Sequence, residues 1–316
     1  MPKTKKASSN NKTTSKTPQI STQIKSQKQG EVELEITIPQ SLIDQVYQDT
    51  LKHLAKEAEV KGFRKGSAPL KLVEEKLGKD YILRKASESI LTIAYFQAIQ
   101  QTQITPITDP KLTKAVTPPQ GNWQLTFIVP VIPKTSLPND YLYQIAKKIK
   151  NQTKILTPDD IKKEKQPKDP QQQASQKLSD IFSALLEIGQ VEISPTLIET
   201  EVNRRLASIF DQLQKINMTI DDYAKSKGIT TQQLRDQIAQ QIKEELTLDF
   251  LLAEIAKREK LEVSDQEIQK ILDSHQHKDK KHSPQEKLYV KSLLQKQKVI
   301  SFLLDQVDKQ NVVITP

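Results

Sequence analysis

The chain has 316 residues, of which 35% are hydrophobic, 5% aromatic and 28% charged, with seven Gly and no Cys. That length points to about two domains, and the lack of Cys excludes a disulfide scaffold, a thiolate metal site and a Cys nucleophile. Scarce Gly argues against a Gly-rich barrel or dinucleotide-binding sheet, no apolar run approaches the ~20 residues of a membrane span, and the N-terminus lacks a signal-peptide core, so the expected location is cytoplasmic.

The formal charge of +9 is unevenly spread: residues 1–29 hold seven Lys and no acid, while the other 287 residues hold 41 basic and 39 acidic side chains. The Ser, Thr, Asn and Gln content of this tail buries too little surface to offset ordering entropy, so residues 1–29 are expected to be disordered. Such a tail either adds sequence-independent attraction to RNA phosphates or merely solubilises the chain.

From Val32 to Ile38 apolar and polar residues alternate, as in a half-buried strand. Pro39 and Ser41 then open an amphipathic helix through Ile43, Val46, Tyr47, Leu51, Leu54 and Ala58. A second helix is expected from near Pro69 to Gly78 and a third from Lys79 to about Gln101. Two more strands are expected, Lys111 to Val116 and Trp123 to Ile132, around the turn Pro118-Pro119-Gln120-Gly121. Helices grouped between strands make this part, residues 30–142, an α+β module.

Residues 143–175 read as a linker, because two Pro and a Gln run fill Lys165 to Gln173. Within it, Leu156-Thr157-Pro158-Asp159-Asp160-Ile161 has the look of a helix start. Residues 176–316 read as all-helical. Ser194-Pro195, Thr230 with Gln233, Ser264 with Glu267, and Ser283 with Glu286 mark helix starts, Thr230/Gln233 and Ser264/Glu267 as capping boxes. Ile198, Val202, Leu206, Ile209, Leu213 and Ile216 form a narrow apolar seam. Leu234, Ile238 and Ile242 open a longer helix reaching Leu251, Leu252 and Ile255.

The segment joining the first two helices is the most distinctive stretch. Lys61-Gly62-Phe63-Arg64-Lys65-Gly66 places an aromatic and two cations between two Gly that permit tight turns. Phe with Arg and Lys suits stacking together with phosphate or carboxylate contact; the alternative is an ordinary turn whose Phe tucks inward. It is not a phosphate loop, since G-x-x-x-x-G-K is not met. His275, His277 and His282 invite a metal reading, but their Lys-rich surroundings and lack of helical spacing favour a solvated loop. No G-x-S-x-G, H-E-x-x-H or paired-carboxylate pattern stands out. Catalytic residues, metal and cofactors are therefore all expected to be none.

G-F-R-K-G followed by Pro69 resembles the ribosome-docking signature of trigger factor, the bacterial ribosome-associated chaperone. The likeness extends through E-V-E-L-E-I-T-I-P, Tyr95, Ile107-Thr108-Asp109-Pro110, and Phe127 to Pro133 leading to Asp140-Tyr141. Ser194-Pro195-x-Leu197-Ile198-Glu199-x-Glu201, Leu251-Leu252-x-x-Ile255-Ala256-x-x-Glu259 and Val263-Ser264-x-x-Glu267-Ile268 are similar to the family's helical half. Together these cover most of residues 31–275.

The resemblance implies an α+β ribosome-binding module followed by an elongated, all-α, multi-helix chaperone domain. Phe63, Arg64 and Lys65 would dock on ribosomal protein and RNA of the large subunit beside the exit tunnel, with Gly62 and Gly66 shaping the loop. Lys61 would offset Ser67, which stands where the family commonly carries a cation. The C-terminal helices would cradle unfolded nascent chains without ATP. Phe182, Leu185, Phe210, Tyr289, Phe302 and Leu303 are the candidate client contacts, each also a candidate core residue. No membrane partner is implied, and self-association is left open. The family usually inserts a prolyl isomerase domain of about a hundred residues between its halves; here only the Pro/Gln linker stands there, so that module is expected to be missing. A ribosome-independent holdase for assembly or secretion, an RNA-binding assembly factor using the tail, and a residual prolyl isomerase are the alternatives.

Overall fold

Period-two patterning makes the sheet with which the described chain begins. The computed structural model describes residues 19–153, 170–275 and 283–314. Strands β1 (Ser21–Lys28) and β2 (Glu31–Ile38) are followed by helices α1 (Gln40–Glu57), α2 (Leu70–Leu77) and α3 (Lys79–Thr102), then strands β3 (Lys111–Val116) and β4 (Trp123–Pro130). The strands form one antiparallel sheet in the order β1-β2-β4-β3. Val32, Leu34, Ile36 and Ile38 are buried on one side of β2. The register sets Leu34 opposite Phe127 and Ile36 opposite Leu125, so both central strands turn their apolar sides the same way.

Helices α1 and α3 cover that side. Ala86, Ile90, Ala94 and Ala98 recur every fourth residue of α3 and are fully buried in the sheet's core. The three Ala let the helix backbone come close, and Ile90 fills the space between them. A smaller cluster of Leu51, Ala55, Ala68, Val73 and Ile82 joins the end of α1 to α2 and α3.

Strand β1 corrects the expected tail. Residues 21–28, read above as part of a disordered segment, pair along β2, and Ile20 is buried. An edge strand needs only main-chain hydrogen bonds and one covered side. Its polar sequence therefore hid it, and Lys25 and Lys28 suit an open edge. Residues 1–18 lie outside the described residues.

The chain divides into two compact units at Ile132/Pro133. The second runs through β5 (Thr135–Ser136), α4 (Tyr141–Thr153), α5 (Pro170–Ile188), β6 (Gln190–Val191), α6 (Pro195–Gln214), α7 (Ile220–Ser226), α8 (Thr231–Arg258), α9 (Asp265–His275) and α10 (Pro284–Ile314). The stretch read as linker is thus helical at both ends, since α4 occupies 141–153 and α5 begins at 170. The helix start expected at 156–161 lies outside the described residues.

Three clusters hold this unit. Ile145, Ile181, Leu185, Leu251, Ile255 and Leu303 form the largest, from α4, α5, α8 and α10. Val202, Ala224, Leu234, Ile238 and Ile242 join α6 and α7 to the first half of α8. Val263, Ile268, Leu272 and Val290 join α9 to the start of α10. The expected seam on α6 is real but shorter: Val202 and Leu213 are buried, whereas Ile216 lies past the helix end and is exposed.

Capping chemistry fixes these starts. The Ser194 hydroxyl accepts from the Leu197 amide at 2.9 Å. Thr230 and Gln233 cap each other reciprocally, as do Ser264 with Glu267 and Ser283 with Glu286. No helix among the described residues is long and apolar enough to cross a membrane.

Candidate functional site

The loop between α1 and α2 is built from two successive tight turns. Helix α1 ends where Ala58 turns extended, its amide donating to the Leu54 carbonyl. The Phe63 amide then donates to the Val60 carbonyl at 3.0 Å, and the Ser67 amide to the Arg64 carbonyl at 2.9 Å. Gly62 and Gly66 occupy the third position of these turns with φ of +88° and +81°. Positive φ there is the requirement of a type II turn. Gly66 also donates to the Ala58 carbonyl, and a Cβ on it would stand 3.0 Å from the Lys56 carbonyl oxygen. The base of the loop is therefore closed by main chain packed on main chain.

Both ends are anchored. Val60 and Ala68 pack into the small cluster under α1 and α2, and Lys76 donates to the Glu59 carbonyl. Tyr47 on α1 donates to Glu74 on α2 at 2.7 Å; burial and the neighbouring carboxylate push its phenol up to about 12. Between these anchors residues 61–67 are all exposed.

Phe63 is 44% exposed, which decides against the inward-tucked alternative. Lys61, Arg64 and Lys65 are exposed around it and form no ion pair among the described residues. A solvent-exposed aromatic ring amid three unpaired cations can stack on a planar or apolar group while meeting an anion. Ser67 is exposed as well and adds no charge.

The expected client contacts separate into three kinds. Leu185 and Leu303 are both 0% exposed and hold the largest core of the second unit, so they are packing residues and not surface. Phe182 and Phe302 are half-buried against the same core. Only Phe210 on α6, 44% exposed, and Tyr289 on α10, 71% exposed, present their rings. Beside Tyr289, Leu288 and Leu293 are also exposed, and sequence reasoning missed them. The signal was available: apolar residues at 288, 289, 290, 293 and 294 exceed what one helix face buries, and only Val290 and Leu294 join the cluster.

Of the three His, His275 ends α9 and the other two lie outside the described residues. Among the described residues no group of His, Cys, Asp and Glu could hold a metal ion.

The fold and loop define a class: an α+β unit that presents a short aromatic-basic loop, joined to a helical unit with several small cores. Comparison with known proteins places the chain within that class. Residues 20–166 match the family model for the bacterial trigger factor protein, and residues 157–314 match the model for its C-terminus. The chain belongs to the trigger factor family. The two matches overlap at 157–166, leaving no room between them for an inserted domain.

Trigger factors of known sequence share part of the chain. That of Desulforamulus reducens is 39% identical over 79 residues, 25% of this chain and 18% of its own. That of Moorella thermoacetica is 38% identical over 82 residues, 26% and 18% respectively. That of Mycobacterium bovis is 30% identical over 108 residues, 34% and 23%. The matched stretches thus span about a fifth of each relative's length. A solved structure of the trigger factor chaperone, described for promiscuous substrate recognition in folding and assembly, superimposes with a TM-score of 0.60 at 14% identity. It covers 91% of this chain and 100% of its own. At that identity the likeness establishes the fold.

Proposed function

We propose that this chain is an ATP-independent chaperone that docks beside the exit tunnel of the large ribosomal subunit and holds unfolded nascent chains. The observation carrying this reading is the loop at 61–67: braced at both ends, exposed throughout, with Phe63 between unpaired cations. Ordinary turns do not hold an aromatic in water, since its burial is worth ~2 kcal/mol or more. Phe63 supplies the apolar anchor, Arg64, Lys65 and Lys61 meet ribosomal RNA or acidic protein, and Gly62 and Gly66 set the loop's path. Client contact falls to exposed rings on the helical unit, Phe210 and Tyr289, with Phe182 and Phe302 as partly covered seconds. Many weak apolar contacts favour promiscuity and fast release.

A photo-cross-linking residue placed at Phe63 tests the docking role. Cross-links to one ribosomal protein at the tunnel exit support it; cross-links scattered over the ribosome, or none, refute it.

The second reading is a holdase working away from the ribosome. Ser67, which leaves the loop one cation short, is the observation in its favour. It predicts full suppression of client aggregation with no ribosome association.

A further inference from the structure

The two edges of the four-stranded sheet are finished differently. At β1 the inner side is closed: α3 packs on β1 and β2, and Ile20 is buried. The Gln101 side chain of α3 also donates to the Ile20 carbonyl and accepts from the Thr22 hydroxyl. At β3 the inner side is open. Leu112 and Ala115 stand opposite Phe127 and Leu125, on the side of the sheet that faces the helices, yet both are exposed. Beneath them lies a trough of about 300 Å3, lined also by Leu83 and Leu91 of α3 and by Trp123 and Leu125 of β4. From Leu112 to Val116 the main chain of β3 pairs only with β4 among the described residues. Its outward amide and carbonyl groups are those of a bare sheet edge.

The sheet is one strand short of covering its helix. The trough follows α3 from Asp80 to Leu91, a length of about 17 Å at the helical rise. An extended segment of about five residues has the same length. Laid beside β3, it would continue the main-chain ladder and turn alternate side chains into the trough. Charge narrows the kind of segment. On the trough side Asp80 and Arg84 stand one helical turn apart and offset each other. On the open side of β3, Lys114 lies opposite Thr126 and is in no ion pair among the described residues. An added strand would set its outward residues beside that ammonium, where an acid is favoured and a cation opposed. A second copy of this chain meets the edge badly: its β3 brings another Lys114, and its β1 brings Lys25 and Lys28.

We propose that β3 is a docking edge for an extended segment of a partner polypeptide, about five residues long, in which apolar residues alternate with Asp or Glu. The segment joins the sheet as a fifth strand. Its apolar side chains fill the trough over Leu83, Leu91 and Leu112, and its acids lie on the open side with Lys114. Main-chain bonds supply attachment that tolerates many sequences, while the alternation and the charge supply the preference. The site belongs to the first unit alone. It rests on neither the loop at 61–67 nor the exposed rings of the helical unit.

Fluorescence anisotropy of a labelled peptide, V-E-L-E-I-E-V, titrated with the full chain tests this. Two N-methylated forms separate strand addition from apolar adhesion. Methyl groups on one set of alternate amides abolish binding, and on the other set leave it intact, because a strand offers only one side to β3. Lys114→Glu weakens binding several-fold and strengthens that of V-K-L-K-I-K-V, whereas Leu112→Lys, which sets a charge over the trough, weakens both. Lys28→Glu on the far edge changes neither. All three positions are exposed, and urea unfolding confirms that each variant keeps its fold. No binding by the parent chain, equal loss with both methylated forms, or a preference indifferent to Lys114→Glu would each overturn the proposal. Self-association of the chain that Leu112→Lys abolishes would overturn it too, by giving the edge to a second copy.

Discussion

Phe63 and Gly66 sit three residues apart and answer to different forces. Phe63→Ala removes an exposed ring, so unfolding should shift by no more than ~0.5 kcal/mol, while any partner that takes the ring loses its anchor. Gly66→Ala must hold φ near +81° and push against the Lys56 carbonyl, so it should cost ~1–2 kcal/mol of stability. Gly62→Ala meets open space and pays only for its positive φ, about 1 kcal/mol. Urea unfolding of the three variants checks that order. The same contrast divides the client candidates. Leu185→Ala, emptying a fully buried site, should cost ~2–5 kcal/mol. Phe210→Ala and Tyr289→Ala should leave stability nearly unchanged while weakening suppression of client aggregation. Spacing alone could not divide these residues, because all six candidates sit on amphipathic helices and only tertiary packing decides which face is covered.

At the level of elements, the start of α9 shows how a cap couples to its neighbour. Glu267 accepts from the Ser264 amide and hydroxyl and from Lys298 of α10. The Lys298 bond first, then those from Ser264, bring its carboxyl from the usual 4.5 down to about 2. A depressed folded pKa means the contribution is complete above the ordinary carboxylate range and is lost as pH falls from about 4.5 toward 2. Thermal unfolding of the parent chain and of Glu267→Gln should therefore differ at pH 7 and converge between pH 5 and 2; a gap constant with pH would refute the coupling. Elements whose information is local were legible beforehand: the alternation in β2, the caps at Ser194, Thr230, Ser264 and Ser283, and the length of α8. Strand β1 was not, since main-chain pairing at an edge leaves no apolar trace. The β5–β6 pair joins two-residue strands more than fifty residues apart in sequence, and α7, seven residues long, is too short to display a period. Its Thr219 cap, accepting from the Asp222 amide, was the readable clue.

For the molecule as a whole, the two family matches overlap and leave no room between them for an inserted domain, and the function proposed above is holding without prolyl isomerisation. A protein whose refolding is limited by a prolyl bond should refold in the presence of this chain at the uncatalysed rate, tens of seconds or slower at 25 °C. A catalysed phase would mean isomerase chemistry resides in the two halves themselves. The central claim is that the loop at 61–67 anchors the chain to the ribosome. The most direct measurement is co-sedimentation with bacterial ribosomes of the parent chain and of a variant with Phe63, Arg64 and Lys65 all changed to Ala, at two salt concentrations. The account predicts that the parent pellets and the variant stays in solution, with its unfolding profile unchanged. Equal pelleting of both, or of neither, would contradict it.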